Sequence, residues 1–242
     1  PLTDKDKVIG TITIANPIDG TSFLAGDLEL LTTIAAQASV AIRNARLYED
    51  QEHSYLNTVQ ALVSAIEASD AYTRGHSERV TRYSVALGRR LSLKGDTLKY
   101  LEQAAVLHDI GKIGIDASIL HKKEKLTPAD IDILKLHPSI GVRILDPIHF
   151  LAPIRNIIEQ HHERYDGKGY PNGIKGEEWL IEGKILAVCD TYDAMTSDRP
   201  YRKALSHEIA LQEHMDLSCT QFNPEVAEAF VAMCNEGQLP QQ

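Results

Sequence analysis

The first apolar stretch, Val8 to Ala15 (VIGTITIA), is rich in β-branched residues and is closed by the turn-prone pairs Asn16-Pro17 and Asp19-Gly20. It predicts a strand. After Ser22-Phe23 the period changes to that of a helix. Asp27 suits a first-turn acid, and no Pro or Gly interrupts the chain from there to Gly75, so one long helix is expected. Along it Leu31, Ile34, Ala38, Ala41, Ala45, Tyr48, Glu52, Tyr55, Val59, Leu62 and Ile66 alternate at a and d heptad positions, with Glu52 the one acidic exception. A parallel helical dimer is the natural reading of such a seam, although small alanines also suit packing on the protein's own core.

From about Tyr55 onward nearly every segment reads as helix. Gly75 to Leu91 carries apolar positions at Val80, Tyr83, Leu87 and Leu91, and Asp96 can cap a helix through Leu98, Leu101, Ala105 and His108. Thr127-Pro128 starts another, with Pro at the first helical position and Asp130 in the first turn. Further helices are expected over Ala152 to Glu163, Glu178 to Ala194, His207 to Leu217 and Pro224 to Cys234. The fold class is therefore mainly α: an all-α bundle preceded by a long linker helix and a short β/α remnant. Metal sites in such bundles are built from inward-facing side chains on several helices.

Composition narrows the chemistry. A net charge of -9 argues against a broad basic surface that tracks nucleic-acid polymers, so a phosphate-bearing ligand would need a local site. Cys189, Cys219 and Cys234 are odd in number and lack any CxxC pairing, which points away from a disulfide framework or a thiolate zinc site and toward the reducing cytoplasm. No run approaches the length of a membrane span. The chain opens at Pro1 directly before the strand pattern, and it is expected to be a piece of a longer polypeptide.

Two stretches carry most of the chemical information. In Leu107-His108-Asp109-Ile110-Gly111-Lys112 an adjacent imidazole and carboxylate could serve two metals, although an isolated His-Asp pair equally suits a turn before Gly111. In His161-His162-Glu163-Arg164-Tyr165-Asp166-Gly167-Lys168-Gly169-Tyr170-Pro171 two imidazoles end a helix. Neighbouring helical residues point about 100° apart, so both reach one ion only from a terminal or distorted turn. A helix C-terminal cap is the plain alternative. His76, His137 and Asp190 join them. Asp190 follows the apolar run Ile185 to Val188, and a buried carboxylate there needs a partner. Five imidazoles and two carboxylates suffice for a two-metal site with Asp109 bridging, and mixed N and O ligation without thiolate suits Fe, Mn, Zn or Co better than Mg or Ca, with Fe or Mn the leading choice. His53, His121, His149, His207 and His214 are expected at the surface.

The ordered set GHSERV, HDIGK, HP, HHERYDGKGYP and D..DAMTSDRPYR resembles the HD-GYP subgroup of the HD phosphohydrolase superfamily from roughly Tyr55 to Met233. The strand and the DLELLTTIAAQASVAIRNARLYE helix resemble the C-terminal end of a GAF domain. These resemblances imply a GAF-like fragment with the start of the linker helix over 1–50, linker helix over 51–70 and a catalytic domain over 71–242. They imply His76, His108, Asp109, His137, His161, His162 and Asp190 as ligands of two divalent ions, and Asp109 and Lys112 as catalytic residues. Lys112, Tyr170, Arg199 and Arg202 are the implied substrate contacts. Some relatives carry an acid four positions before the first histidine that helps bind a third metal. Here Tyr72 stands there, hence two ions. The implied activity is hydrolysis of cyclic di-GMP to linear pGpG, or on to GMP, by a hydroxide bridging the metals under upstream sensory control. Homodimerisation through the linker helix and regulatory partners at the GYP loop go with it. The rivals are hydrolysis of another nucleotide, or a catalytically silent cyclic di-GMP sensor or docking module.

Overall fold

The structure, a computed structural model, describes residues 1–15, 20, 22–69, 75–122, 124–198 and 203–240. The expectations attached to Tyr72, Arg199 and Arg202 fall outside the described residues. The chain divides into two compact units, Pro1–Thr58 and Val59–Gln242.

In the first unit β1 (Leu2–Asp4) and β2 (Lys7–Gly10) form an antiparallel hairpin that turns at Lys5, whose φ is 51°. The strand expected to reach Ala15 stops at Gly10, because β1 offers only a three-residue partner and a strand without a ladder leaves its amides unpaired. Helix α1 spans Ala25–Ser69. Its start is fixed as expected by Asp27, whose carboxylate accepts the Leu24 N–H at 2.7 Å. Ser39 Oγ accepts the Thr3 N–H at 2.9 Å, and Arg43 reaches Asp4 at 3.5 Å, joining hairpin to helix. Ile34, Tyr48, Tyr55 and Leu62 of the heptad seam are about half or more exposed in this single chain.

The second unit is helical. Its elements are α2 (His76–Arg90), α3 (Gly95–Leu107), α4 (Ala117–Leu120), α5 (Pro128–Leu134), α6 (His137–Leu145), α7 (Ala152–Gln160), α8 (Ile181–Thr196), α9 (His207–Asp216) and α10 (Pro224–Asn235). Helices α2, α3 and α8 pack on one another around Val80, Tyr83, Leu87, Leu101, Ala105, Ile185 and Val188, with Phe230 of α10 closing one end. The i, i+3, i+7 spacing of Val80, Tyr83 and Leu87 puts all three on one face of α2, as its periodicity predicts. Gly88 lets α3 approach, since a Cβ there would lie 2.8 Å from Leu101.

Helix α5 starts at Pro128 with Asp130 in its first turn as expected, and Thr127 and Asp130 further close a capping box. Asp96 does not cap α3: the helix begins at Gly95 with Lys94 at its cap, and Asp96 sits in the first turn. Helix α6 was not foreseen, being short and led by a histidine and a proline. His214 is a further correction. It is fully buried, its ring stacked on Phe222 at 4.7 Å and its nitrogens facing the Ala210 and Val188 carbonyls at 2.7 and 3.1 Å. Its charged neighbours in sequence point to solvent while it faces inward. His53, His121, His149 and His207 are exposed as expected.

Candidate metal centre

Helix ends supply most of the inward-facing polar groups. His76 opens α2 after Gly75, whose φ of 70° suits glycine. His108 ends α3, and the chain then tightens through Asp109 into a 3-10 turn, Ile110–Gly114. His137 opens α6, and His161 and His162 follow the end of α7. Asp190 lies within α8.

Three imidazoles are oriented alike. Nδ1 of His108, His137 and His161 faces the carbonyl three residues earlier, at 2.8 Å from Ala105, 2.8 Å from Leu134 and 2.6 Å from Ile158. Each Nδ1–H thus donates to a carbonyl left open at a helix end, and the Nε2 lone pair is turned to the interior. His137 Nε2 and His161 Nε2 stand 3.2 Å apart, a close approach of two lone pairs. Among the described residues His108 Nε2 is buried without a hydrogen-bond partner. Convergent lone pairs with no donor among them are the arrangement a cation relieves.

Two groups form: His76, His108 and Asp109, and His137, His161 and His162, the ligating atoms of each lying within 4.8 Å of one another. Asp109 lies between them. Its Oδ2 is 3.5 Å from His108 Nε2 and 3.8 Å from His76 Nε2, while Oδ1 is 3.5 Å from His137 Nε2. Asp190 Oδ1 is 3.2 Å from His76 Nε2 and 4.0 Å from His108 Nε2. All seven side chains expected as ligands therefore meet in one place. The terminal turn at His161 and His162 brings their rings to 4.0 Å, which a regular helix would not allow. Nitrogen and oxygen donors in two groups fit divalent transition metals.

Lys112 donates to Asp109 Oδ2 and keeps 28 % of its side chain exposed, so its ammonium borders the centre and solvent together. Tyr170 lies over His162, ring centroids 4.8 Å apart, with the Lys135 ammonium 5.6 Å from the Tyr170 ring. A cleft of about 250 Å³ beside His161 and His162 is lined by Lys135, Arg164, Lys168 and Tyr170 among others. That basic lining was not foreseen from sequence, because the lysines come from separate segments.

The charges follow from burial and neighbours. Burial alone would raise the Asp109 and Asp190 carboxyls, but Lys112 and the imidazoles hold Asp109 well below the carboxylate range, and His76 does most for Asp190. Burial also opposes a charge on His76, yet hydrogen bonds to Asp190 and Asp193 outweigh it and hold His76 up at about 9. Burial pushes His161 well down, and it takes His162 to about 3 and lowers His137, so this second group stays neutral and ready to ligate.

Supporting residues escaped the sequence reading. Asp193 Oδ2 accepts from His76 Nδ1 at 2.7 Å, and Arg79 Nε donates to Asp193 Oδ1 at 2.6 Å. The signal lay in spacing, since Asp193 is three residues beyond Asp190 and Arg79 three beyond His76, each on the same helical face. Glu163, buried, accepts the N–H groups of Asn172 and Gly173 at 2.7 and 3.1 Å and so ties down the loop that carries Tyr170.

The HD domain profile matches residues 60–226, and the GAF domain profile matches residues 1–42. The chain is 39 % identical over 193 residues to a cyclic di-GMP phosphodiesterase of Thermotoga maritima, covering 78 % of this chain and 52 % of that protein. It is 32 % identical over 209 residues to 3'3'-cGAMP-specific phosphodiesterase 3 of Vibrio cholerae, covering 86 % of this chain and 45 % of that one. The chain thus spans about half the length of the curated relatives it matches. In three dimensions it resembles Bd1817, an HDG"Y"P protein from Bdellovibrio bacteriovorus, at a TM-score of 0.55 and 22 % identity, covering 66 % of this chain and 51 % of that one.

Proposed function

Because this chain belongs to the HD domain family, we propose that it is a metal-dependent phosphodiesterase that opens cyclic di-GMP. The observation that carries the proposal is Asp109, whose two oxygens face opposite histidine groups while its neighbour Lys112 borders solvent.

In this reading His76, His108 and Asp190 would hold one ion and His137, His161 and His162 the other, with Asp109 available to both. The donor set suits Fe, Mn, Zn or Co, and Fe or Mn is the pair proposed here. Such ions supply Lewis acidity toward a phosphodiester and acidify a bound water. The protein's own contribution is orientation. Helix-end carbonyls lock the imidazole tautomers, Asp193 locks His76, and burial keeps the second group free of protons. Lys112 would turn its ammonium to a non-bridging phosphoryl oxygen, neutralising charge as it develops. Tyr170 offers an aromatic face and Lys135 and Lys168 offer cations for the rest of the dinucleotide.

The relatives named as cyclic di-GMP phosphodiesterases support this substrate. Relatives named as 3'3'-cGAMP-specific support a second, in which one guanine becomes adenine. Incubation with each dinucleotide, and chromatography of the products, separates the two. Faster loss of cyclic di-GMP with appearance of linear pGpG supports the first reading, and preferential loss of 3'3'-cGAMP replaces it. We further propose that the protein works in the cytoplasm, and that the exposed seam of α1 pairs with a second chain, bringing upstream signals to the centre. The loop held by Glu163 would be the place for regulatory partners.

A further inference from the structure

The last turns of α1 approach the first turns of α2, and Val63 of α1 is buried there. A cavity of about 390 Å³ lies between Gln60, Val63 and Ser64 on one side and Ser77, Thr81 and Arg82 on the other. Glu67 spans the gap. Its Oε2 accepts the Gly75 N–H at 3.0 Å and its Oε1 accepts the Ser77 N–H at 2.8 Å.

These two amides bracket His76. Helix α2 has no side-chain cap from its own N-cap residue, Gly75, so Glu67 answers two of the amides that open the helix. His76 is thus held twice: its ring by Asp193, and its backbone by a carboxylate from the linker helix. We propose that Glu67 is a positioning residue through which the end of α1 sets His76 at the metal centre. A turn or slide of α1 would then move one ligand of the first group and none of the second, which hangs on α6 and α7. The inference rests on the metal-centre reading given above, and it adds a route by which the linker helix reaches the ions.

The test is Mn(II) titration of the whole chain, with bound and free ion read by electron paramagnetic resonance. Glu67→Ala should weaken one of the two ions roughly 10-fold, the lower end of what losing an outer-shell partner costs, and leave the other at its original affinity. Glu67→Gln keeps an acceptor oxygen and should fall between. As a control, Asn223→Ala removes the side-chain cap of α10 and should lower the melting temperature without touching Mn(II) affinity. Unchanged binding of both ions in Glu67→Ala overturns the proposal, as does equal weakening of both together with a lower melting temperature. A wild-type chain that takes up no Mn(II) overturns the metal centre itself, and this assignment with it.

Discussion

Gly111 is where packing and chemistry meet most tightly. A Cβ at this position would stand 1.9 Å from the His137 carbonyl oxygen, 2.6 Å from the Gly141 nitrogen and 2.8 Å from the His137 carbonyl carbon. All three are backbone atoms, so no side-chain rotation relieves the overlap. Gly111→Ala would have to part the 3-10 turn from α6 by about 1.5 Å to restore ordinary contact. Overpacking of this kind costs about 3 kcal/mol, the upper end of its usual range. For a unit of this size that lowers the melting temperature by roughly 6 to 12 °C. The same movement carries His137 away from Asp109, now 3.5 Å apart, whereas metal–ligand distances tolerate only about 0.2 Å. Thermal unfolding followed by circular dichroism, with elemental analysis of the purified variant, reads both effects. A variant with wild-type melting and full metal content would show that the contact of Gly111 with α6 sets neither stability nor the place of His137.

Other consequences can be measured separately. Lys112→Ala should keep its metal and lose turnover by roughly 10²- to 10³-fold, the effect of removing one charge-stabilising donor, and an unaltered kcat would take Lys112 out of the reaction. Because His76 is held up at about 9 in the metal-free chain, ligation must displace its proton. Affinity for Mn(II) should therefore climb roughly tenfold per pH unit until about 9 and then level off, and a flat profile in calorimetry would contradict the assignment. The same raised value stabilises the metal-free fold in full below His76's ordinary 6.5, and that gain fades as pH rises through about 9. Tyr48→Glu combined with Tyr55→Glu should turn a dimer into a folded monomer by light scattering, since both side chains are exposed on the seam, and a dimer that survives places the interface elsewhere.

Much of the centre could be read from the chain because its ligands sit in short local signals. The His108-Asp109 pair, the His161-His162 pair before a glycine-rich loop, and Asp190 after an apolar run each break a pattern that packing alone would keep. Elements that depend on distant partners were harder to see. The strand after Val8 ends early because its partner is short, and the sequence does not display a partner's length. His214 lies among charged residues, and only the arrival of Phe222 and Phe230 from another segment makes it a core residue. Asp193, Glu163 and Glu67 support the site through hydrogen bonds that span from 8 to 117 residues. Helical spacing marks the face that Asp193 shares with Asp190, but it does not name His76 as its partner, and nothing local announces the pairings of Glu163 and Glu67.

We propose that the seven side chains of this centre hold ions that open a cyclic dinucleotide. Anaerobic purification, elemental analysis and incubation with cyclic di-GMP, before and after the metal is stripped and restored, test it most directly. About two metal ions per chain are expected, with linear dinucleotide formed only when they are present. Full metal occupancy without any loss of cyclic di-GMP or of 3'3'-cGAMP would contradict it.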